Sequence, residues 1–197
     1  MKKLFYFAVS IFLLVLSVLA IVVITSQVFA YAESEEVMTV ENVVEESTLP
    51  FQDVKPERWY YDDVAYVYEH GIMYGVSEDS FAPNSDMTAS AVICTLGRIE
   101  GIEPAYNPKS HGMTRQGFCI ALYWYLTEYK GYELKESTDY FGDDYDIAGF
   151  ARQSVYALKE IGVVCGYDNG TFCPDRIVTR AEAAAMLHRM CEWMEQN

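Results

Sequence analysis

Sliding the chain along itself by 91 residues lays Trp59 to Glu100 on Phe150 to Cys191 without a gap. Val64 meets Val155, Gly71 meets Gly162, Gly75 meets Gly166, Phe81 meets Phe172, Pro83 meets Pro174, Thr88 meets Thr179 and Arg98 meets Arg189. Glycines, a Phe-x-Pro and a helix start held in one register mean that one supersecondary unit is built twice. Such a unit buries its apolar face only against neighbours, so the copies must pack on one another.

Each copy reads as helix, loop, helix. In the first copy Tyr61, Val64, Ala65 and Tyr68 share one face and Gly71 stops the run; in the second, Ala151, Val155 and Leu158 do so before Gly162. Gly75 to Pro83 and Gly166 to Pro174 read as short extended arms about a turn, clearest at Asp168-Asn169-Gly170. The second helices carry Val92, Leu96 and Ile99 in one copy, and Ala184, Leu187 and Met190 in the other. Between the copies lies a lone helix with Phe118, Leu122, Tyr125, Leu126 and Tyr129, and the link Gly101 to Gly112 has no room for a first helix. The spacing therefore predicts two whole units and one half unit.

Thr179-Arg180-Ala181-Glu182 opens the last helix. Thr179 is a good N-cap, and Glu182 can reach back to complete a capping box. Arg180 then falls at the first helical position, beside unpaired N–H groups and the positive end of the helix dipole, a combination suited to a carboxylate or phosphate.

The N-terminus has its own logic. Lys2 and Lys3 precede an apolar run from Leu4 to Ser26, and Ala30-Tyr31-Ala32 has the small-x-small pattern of a cleavage site, so residues 1–32 read as an export signal. The run is also long enough to span a bilayer, so an uncleaved tether through residues 4–26 is the alternative; both place the rest of the chain outside the cytoplasm. Residues 33–48 are acidic and free of aromatics, which reads as a linker. The folded region is expected over 49–197, divided as 49–104, 105–135 and 136–197.

The chain has 14 Lys and Arg against 29 Asp and Glu, a formal charge of −15. Removing Lys2 and Lys3 makes it −17, because every acid lies beyond Ala32. That balance, with no clustered basic face, argues against nucleic acid as a partner. Five cysteines in an exported chain are an odd number, so at least one thiol is free or paired between chains. Cys165 and Cys173 flank Asn169 symmetrically, so paired arms would bring their sulfurs onto opposing strands as a disulfide. Cys94 and Cys119 read as small buried residues. Cys165, Cys173, His188 and Cys191 together contain zinc-ligand types, but His188 lies one to two turns into a helix well beyond the loop, so no metal is expected. No cofactor signature is visible, and neither His70 nor His111 shares a catalytic signature with a serine or cysteine, so no enzyme is expected. Asp143, Asp144 and Asp146 read as a turn with helix-start acids.

FQDVKPERWYYDDVAYVYEHGIMYG, SFAPNSDMT and GYDNGTFCPDRIVTRAEAAAMLHRM together resemble S-layer homology motifs, over essentially all of residues 50–194. The resemblance implies a mainly α, pseudo-threefold spindle, with a central three-helix bundle, helix-loop prongs and short β-hairpin arms. Grooves between prongs would hold an acidic, pyruvylated secondary cell-wall polysaccharide or a peptidoglycan-linked glycan. The signature arginine maps onto Arg180 and Arg115. Family aromatic and acidic positions map onto Trp59 and Asp53, with Phe150 and Asp144 in the last unit. The first unit departs from the pattern, reading Thr88-Ala89-Ser90-Ala91, and the middle unit has Gly117 in place of the glutamate. Two prongs and at most two competent grooves are therefore expected. Trp59 reads first as a core residue, large aromatics contributing by burial, with sugar stacking as the alternative; Tyr60, Tyr61, Tyr66 and Tyr68 divide in the same way between packing and a stacking face. The functional expectation is a non-catalytic cell-surface module, secreted or tethered, binding an acidic wall glycan through Arg180, Arg115, Thr179, Glu182, Trp59 and Asp53. A degenerate scaffold for a surface-protein partner is the alternative.

Overall fold

In the computed structural model, which describes residues 49–197, three threonines start three helices. Thr88 precedes α2 (Ala89–Ile99), Thr114 precedes α3 (Arg115–Trp124) and Thr179 precedes α5 (Arg180–Glu195). Each threonine is extended, and its hydroxyl accepts from the third residue on: Ala91 N at 3.2 Å, Gly117 N at 3.2 Å and Glu182 N at 3.3 Å. Of the three, α5 alone has the full capping box, Thr179 N–H donating to Glu182 Oε2 at 3.1 Å. The shorter first helices, α1 (Tyr61–Glu69) and α4 (Arg152–Glu160), have no side-chain cap and end in left-handed glycines, Gly71 at φ 67° and Gly162 at φ 77°. Beyond α3 the chain widens through a single i to i+5 turn over Tyr125–Tyr129. Asp144–Asp146 makes one 3₁₀ turn.

The three cap segments are joined in a cycle. Met113 N–H donates to Met87 O (2.8 Å), Val178 N–H to Met113 O (3.0 Å) and Met87 N–H to Val178 O (2.9 Å). A second cycle runs in the opposite sense: Ala89 N–H to His111 O (3.1 Å), Arg115 N–H to Arg176 O (2.9 Å) and Arg180 N–H to Ser85 O (2.9 Å). The next residue inward follows suit twice, with Gln116 N–H on Pro174 O and Ala181 N–H on Pro83 O. In the third place, where the half unit has no arm to offer a carbonyl, Ser110 Oγ accepts from Ser90 N at 2.9 Å. The link thus substitutes a side chain for the missing element. Its Pro104 also fills the space where a Cβ on Gly97 would sit, 2.5 Å from Pro104 Cγ.

α1 packs on α5, and α4 packs on α3. The buried stripe of α1 runs through Val64 and Val67, with Tyr61, Ala65 and Tyr68 only half-buried at its edges; that of α4 runs through Val155 and Leu158. These meet Phe118, Leu122, Leu126, Ala184, Leu187 and Met190 in one continuous core. Cys94, Cys119 and Cys191 are buried thiols.

The arms are not β-hairpins. Among the described residues there is no strand, only the isolated bridges Asp86–Thr179, Thr88–Gly112 and Thr114–Ile177. Each arm closes one tight turn, Val76 N–H to Ser80 O and Tyr167 N–H to Thr171 O, both at 2.8 Å. Two further donors of each arm, Phe81 N and Ala82 N in the first and Phe172 N and Cys173 N in the second, go to a carboxylate instead of a ladder. Accordingly Cys165 and Cys173 are free thiols: Cys165 Sγ bonds to Gly162 O at 3.6 Å, and Cys173 adopts φ 56° with its sulfur 3.4 Å from Thr171 Oγ1. The expected disulfide is therefore corrected, because the two cysteines do not face each other across a paired ladder. The export signal or tether and the acidic linker expected over residues 1–48 lie outside the described residues.

Candidate functional site

Phe81 and Phe172, the residues that follow the tight turns of the two arms, are wholly buried, and each is pinned by an aspartate. Asp53 accepts from Phe81 N (2.9 Å), Ala82 N (2.8 Å) and Ser80 Oγ (2.7 Å). Burial works against its charge, but the amides of Phe81 and Ala82 and the Ser80 hydroxyl outweigh it and hold the carboxyl below its ordinary range. In the last unit the same work falls to Asp143, which accepts from Phe172 N and Cys173 N, both at 2.7 Å. The sequence mapping to Asp144 is corrected by one residue, the second copy having one more residue between acid and aromatic. Asp144 instead pairs with Arg152 at 2.7 Å.

The two signature arginines reach into these arms. Arg115 is 5% exposed; its Nε donates to Phe172 O at 2.9 Å and its guanidinium lies over the Tyr167 and Phe172 rings at 4.6 and 5.1 Å. Arg180 Nε donates to Phe81 O at 2.8 Å and Nη2 to Tyr74 O at 2.7 Å, with the guanidinium 4.5 Å over the Phe81 ring. Each arginine therefore ties the start of one unit's second helix to another unit's arm. Both stand at the helix starts where the sequence put them, with their Nε donors on arm carbonyls.

One cleft of about 500 Å³ brings Arg115, Trp59 and Glu182 together, with Tyr167 and Arg189. Trp59 is 62% exposed, so the core reading is corrected: the adjacent Tyr60, at 3%, takes the core position and Trp59 is left at the rim. Glu182, 3.6 Å from Arg115 Nη1, also accepts from Tyr167 Oη at 3.0 Å and pairs with Arg176. Arm residues Val164 to Asp168 line it on the last unit's side, with Ala185, Met186 and Arg189 of α5. An exposed indole, a tyrosine edge and two arginines beside an acid suit a polar ring carrying negative charge.

The other expected residues are placed elsewhere. Asp53 and Arg180 belong to the first arm, and Thr179 caps α5 without lining the cleft. Tyr61 and Tyr68 are half-buried, Tyr68 against Phe51, while Tyr66 stacks between His70 and His188 at 4.0 and 3.9 Å, so this group packs and does not form a stacking face. His188 Nδ1 lies 2.9 Å from Asp63. Sequence reasoning missed Tyr167, Arg189 and Asp143. Arg189 had a signal, its repeat partner Arg98; Tyr167 had only its place before the Asp-Asn-Gly turn.

A profile of the S-layer homology domain matches residues 50–88 and 140–184. Over these two stretches the chain carries the S-layer homology domain. The two matched stretches are the arm-bearing parts of the whole units, and the half unit between them falls outside. The chain is 43% identical over 59 residues to the surface-layer 125 kDa protein of Lysinibacillus sphaericus, covering 28% of this chain and 5% of that protein. It is 24% identical over 147 residues to the cellulosome-anchoring protein of Acetivibrio thermocellus, covering 74% and 27%. It is 26% identical over 156 residues to an endoglucanase of Bacillus sp. (strain KSM-635), covering 79% and 13%. The chain thus spans a small fraction of these relatives' length.

Proposed function

We propose that this chain is a non-catalytic cell-surface module that binds an acidic wall glycan, a pyruvylated secondary polysaccharide or a peptidoglycan-linked polymer, in the cleft of Trp59, Arg115, Tyr167 and Arg189. The observation that carries the reading is that cleft, in which the signature arginine, an exposed aromatic and a capping-box glutamate meet. Relatives named for a surface layer and for cellulosome anchoring support placement at the wall. The cyclic hydrogen bonding of the three caps supports a pseudo-threefold spindle with a central bundle of α2, α3 and α5 and two prongs. Residues 1–32 serve as export signal or tether and 33–48 as linker. Among the described residues no helix is long and apolar enough to cross a membrane.

One competent cleft is expected here where a symmetric spindle would offer three. Arg180 has an arm, but Ala91 stands where Glu182 stands in the last unit and no middle prong supplies an aromatic. Ala89 has neither arm nor cation. The protein is expected to pellet with purified sacculi and to stay in solution once the secondary polysaccharide has been stripped. Trp59→Ala, at an exposed residue, should lower the bound fraction at least tenfold with unchanged circular dichroism. Pelleting that ignores both treatments would overturn the assignment.

A further inference from the structure

The flank of α5 carries α1 and that of α3 carries α4, but the third position of the cycle, the flank of α2, carries no helix, because residues 101–112 form only the link. What remains is an open groove of about 610 Å³ between α2 and α3, floored by Val92, Leu96 and Ala121. Around it Ile93 is 63% exposed, Trp124 57%, Ile102 56% and Tyr129 53%. Contiguous apolar surface of this kind on an exported chain marks an interaction site. The lining holds a single charged side chain, Glu100, whose carboxylate is already taken by Lys130 at 3.1 Å and by the Tyr125 hydroxyl.

We propose that this groove docks a short amphipathic helix supplied by another polypeptide, seated as α1 is on α5 and α4 is on α3. The two filled positions state the chemistry of the occupant. Each holds nine residues, places aliphatic side chains three apart (Val64 and Val67; Val155 and Leu158), carries polar residues in its first turn and ends in a left-handed glycine. A second copy of this chain has no such helix to spare, since its α1 and α4 are buried on its own bundle. The groove shares no lining residue with the glycan cleft, so failure of either reading leaves the other standing.

The probe is a fluorescein-labelled, helix-locked peptide of residues 151–162, locking having removed the nucleation cost that would otherwise mask binding. Titrated with the full-length protein, it should show a saturable rise in anisotropy. Ile93→Glu should weaken that binding at least tenfold while leaving circular dichroism and Tm unchanged, Ile93 being exposed. No saturable binding at millimolar protein, or equal binding by the variant or by a scrambled peptide, would overturn the proposal. Sedimentation decides between other occupants. A dimer dissolved by Ile93→Glu would give the groove to a second copy, and peptide binding that appears only after removal of residues 1–47 would give it to this chain's own N-terminus; either result defeats the proposal.

Discussion

Arg115 and Arg180 hold equivalent first positions of α3 and α5, yet they are spent differently. Arg115 is buried between Phe172 O, two aromatic rings and Glu182, and still lines the cleft; Arg180 is committed to Phe81 O and Tyr74 O. Alanine at either site therefore unfastens an arm. For Arg115→Ala the loss should be about 2–4 kcal/mol, because the buried guanidinium takes with it the bond to Phe172 O, its packing on two rings and one counter-charge of the half-buried Glu182. In a chain of this size that lowers Tm by roughly 5–15 °C. Lysine should not rescue it, since an ammonium can neither stack in the same plane nor reproduce the Nε–H donor. Equal Tm values for wild type and Arg115→Ala would show that the arm is held by something else. The sequence placed both arginines at helix starts correctly but could not show their partners, which lie 57 and 99 residues away. Trp59 was misread for a related reason: the sequence holds Trp59 and Tyr60 side by side, and only the docked helix decides which ring turns inward.

At the scale of elements the helices were legible and the arms were not. Thr-x-x-Glu, the glycines at 71 and 162 and the 3.6-residue spacing are local signals, and α1, α4 and α5 form where they point. An arm of Gly, Asp, Asn and Pro reads equally well as a hairpin or as a loop. Its outcome depends on Asp53 or Asp143, whose carboxylates take the backbone donors that a ladder would have used. That arrangement has a pH signature. Because the folded state depresses the Asp53 carboxyl, its contribution is present above the unfolded value of about 3.9 and is lost as pH falls through the lower folded value. Wild-type Tm should thus fall steeply below about pH 4. Asp53→Asn should have the lower Tm at neutral pH and a flatter acid limb, the two curves converging as pH falls through the depressed folded value. Parallel curves over that range would show that the arm does not depend on the Asp53 charge.

At the scale of the whole molecule, the described residues 49–197 are closed by the cycle of cap segments, and the placement of its bonds determines what can stand alone. Residues 49–135 contain α1, α2 and α3, but α1 packs on α5, and α3 receives α4. Two of the three inner bonds of the cycle, Val178 N–H to Met113 O and Met87 N–H to Val178 O, also cross to the last unit. The 91-residue repeat made the need for neighbours legible, but not that the neighbour of the first prong would be the last helix. A fragment of residues 49–135 would expose the buried faces of α1 and α3 together and leave Arg115 without its arm. It should show no cooperative melt by circular dichroism, whereas residues 49–197 should unfold in a single transition that is the same by far-ultraviolet signal and by tryptophan fluorescence. A cooperative melt of the shorter piece would mean that the first unit and the half unit form a core of their own, and that the cycle links two bodies instead of closing one.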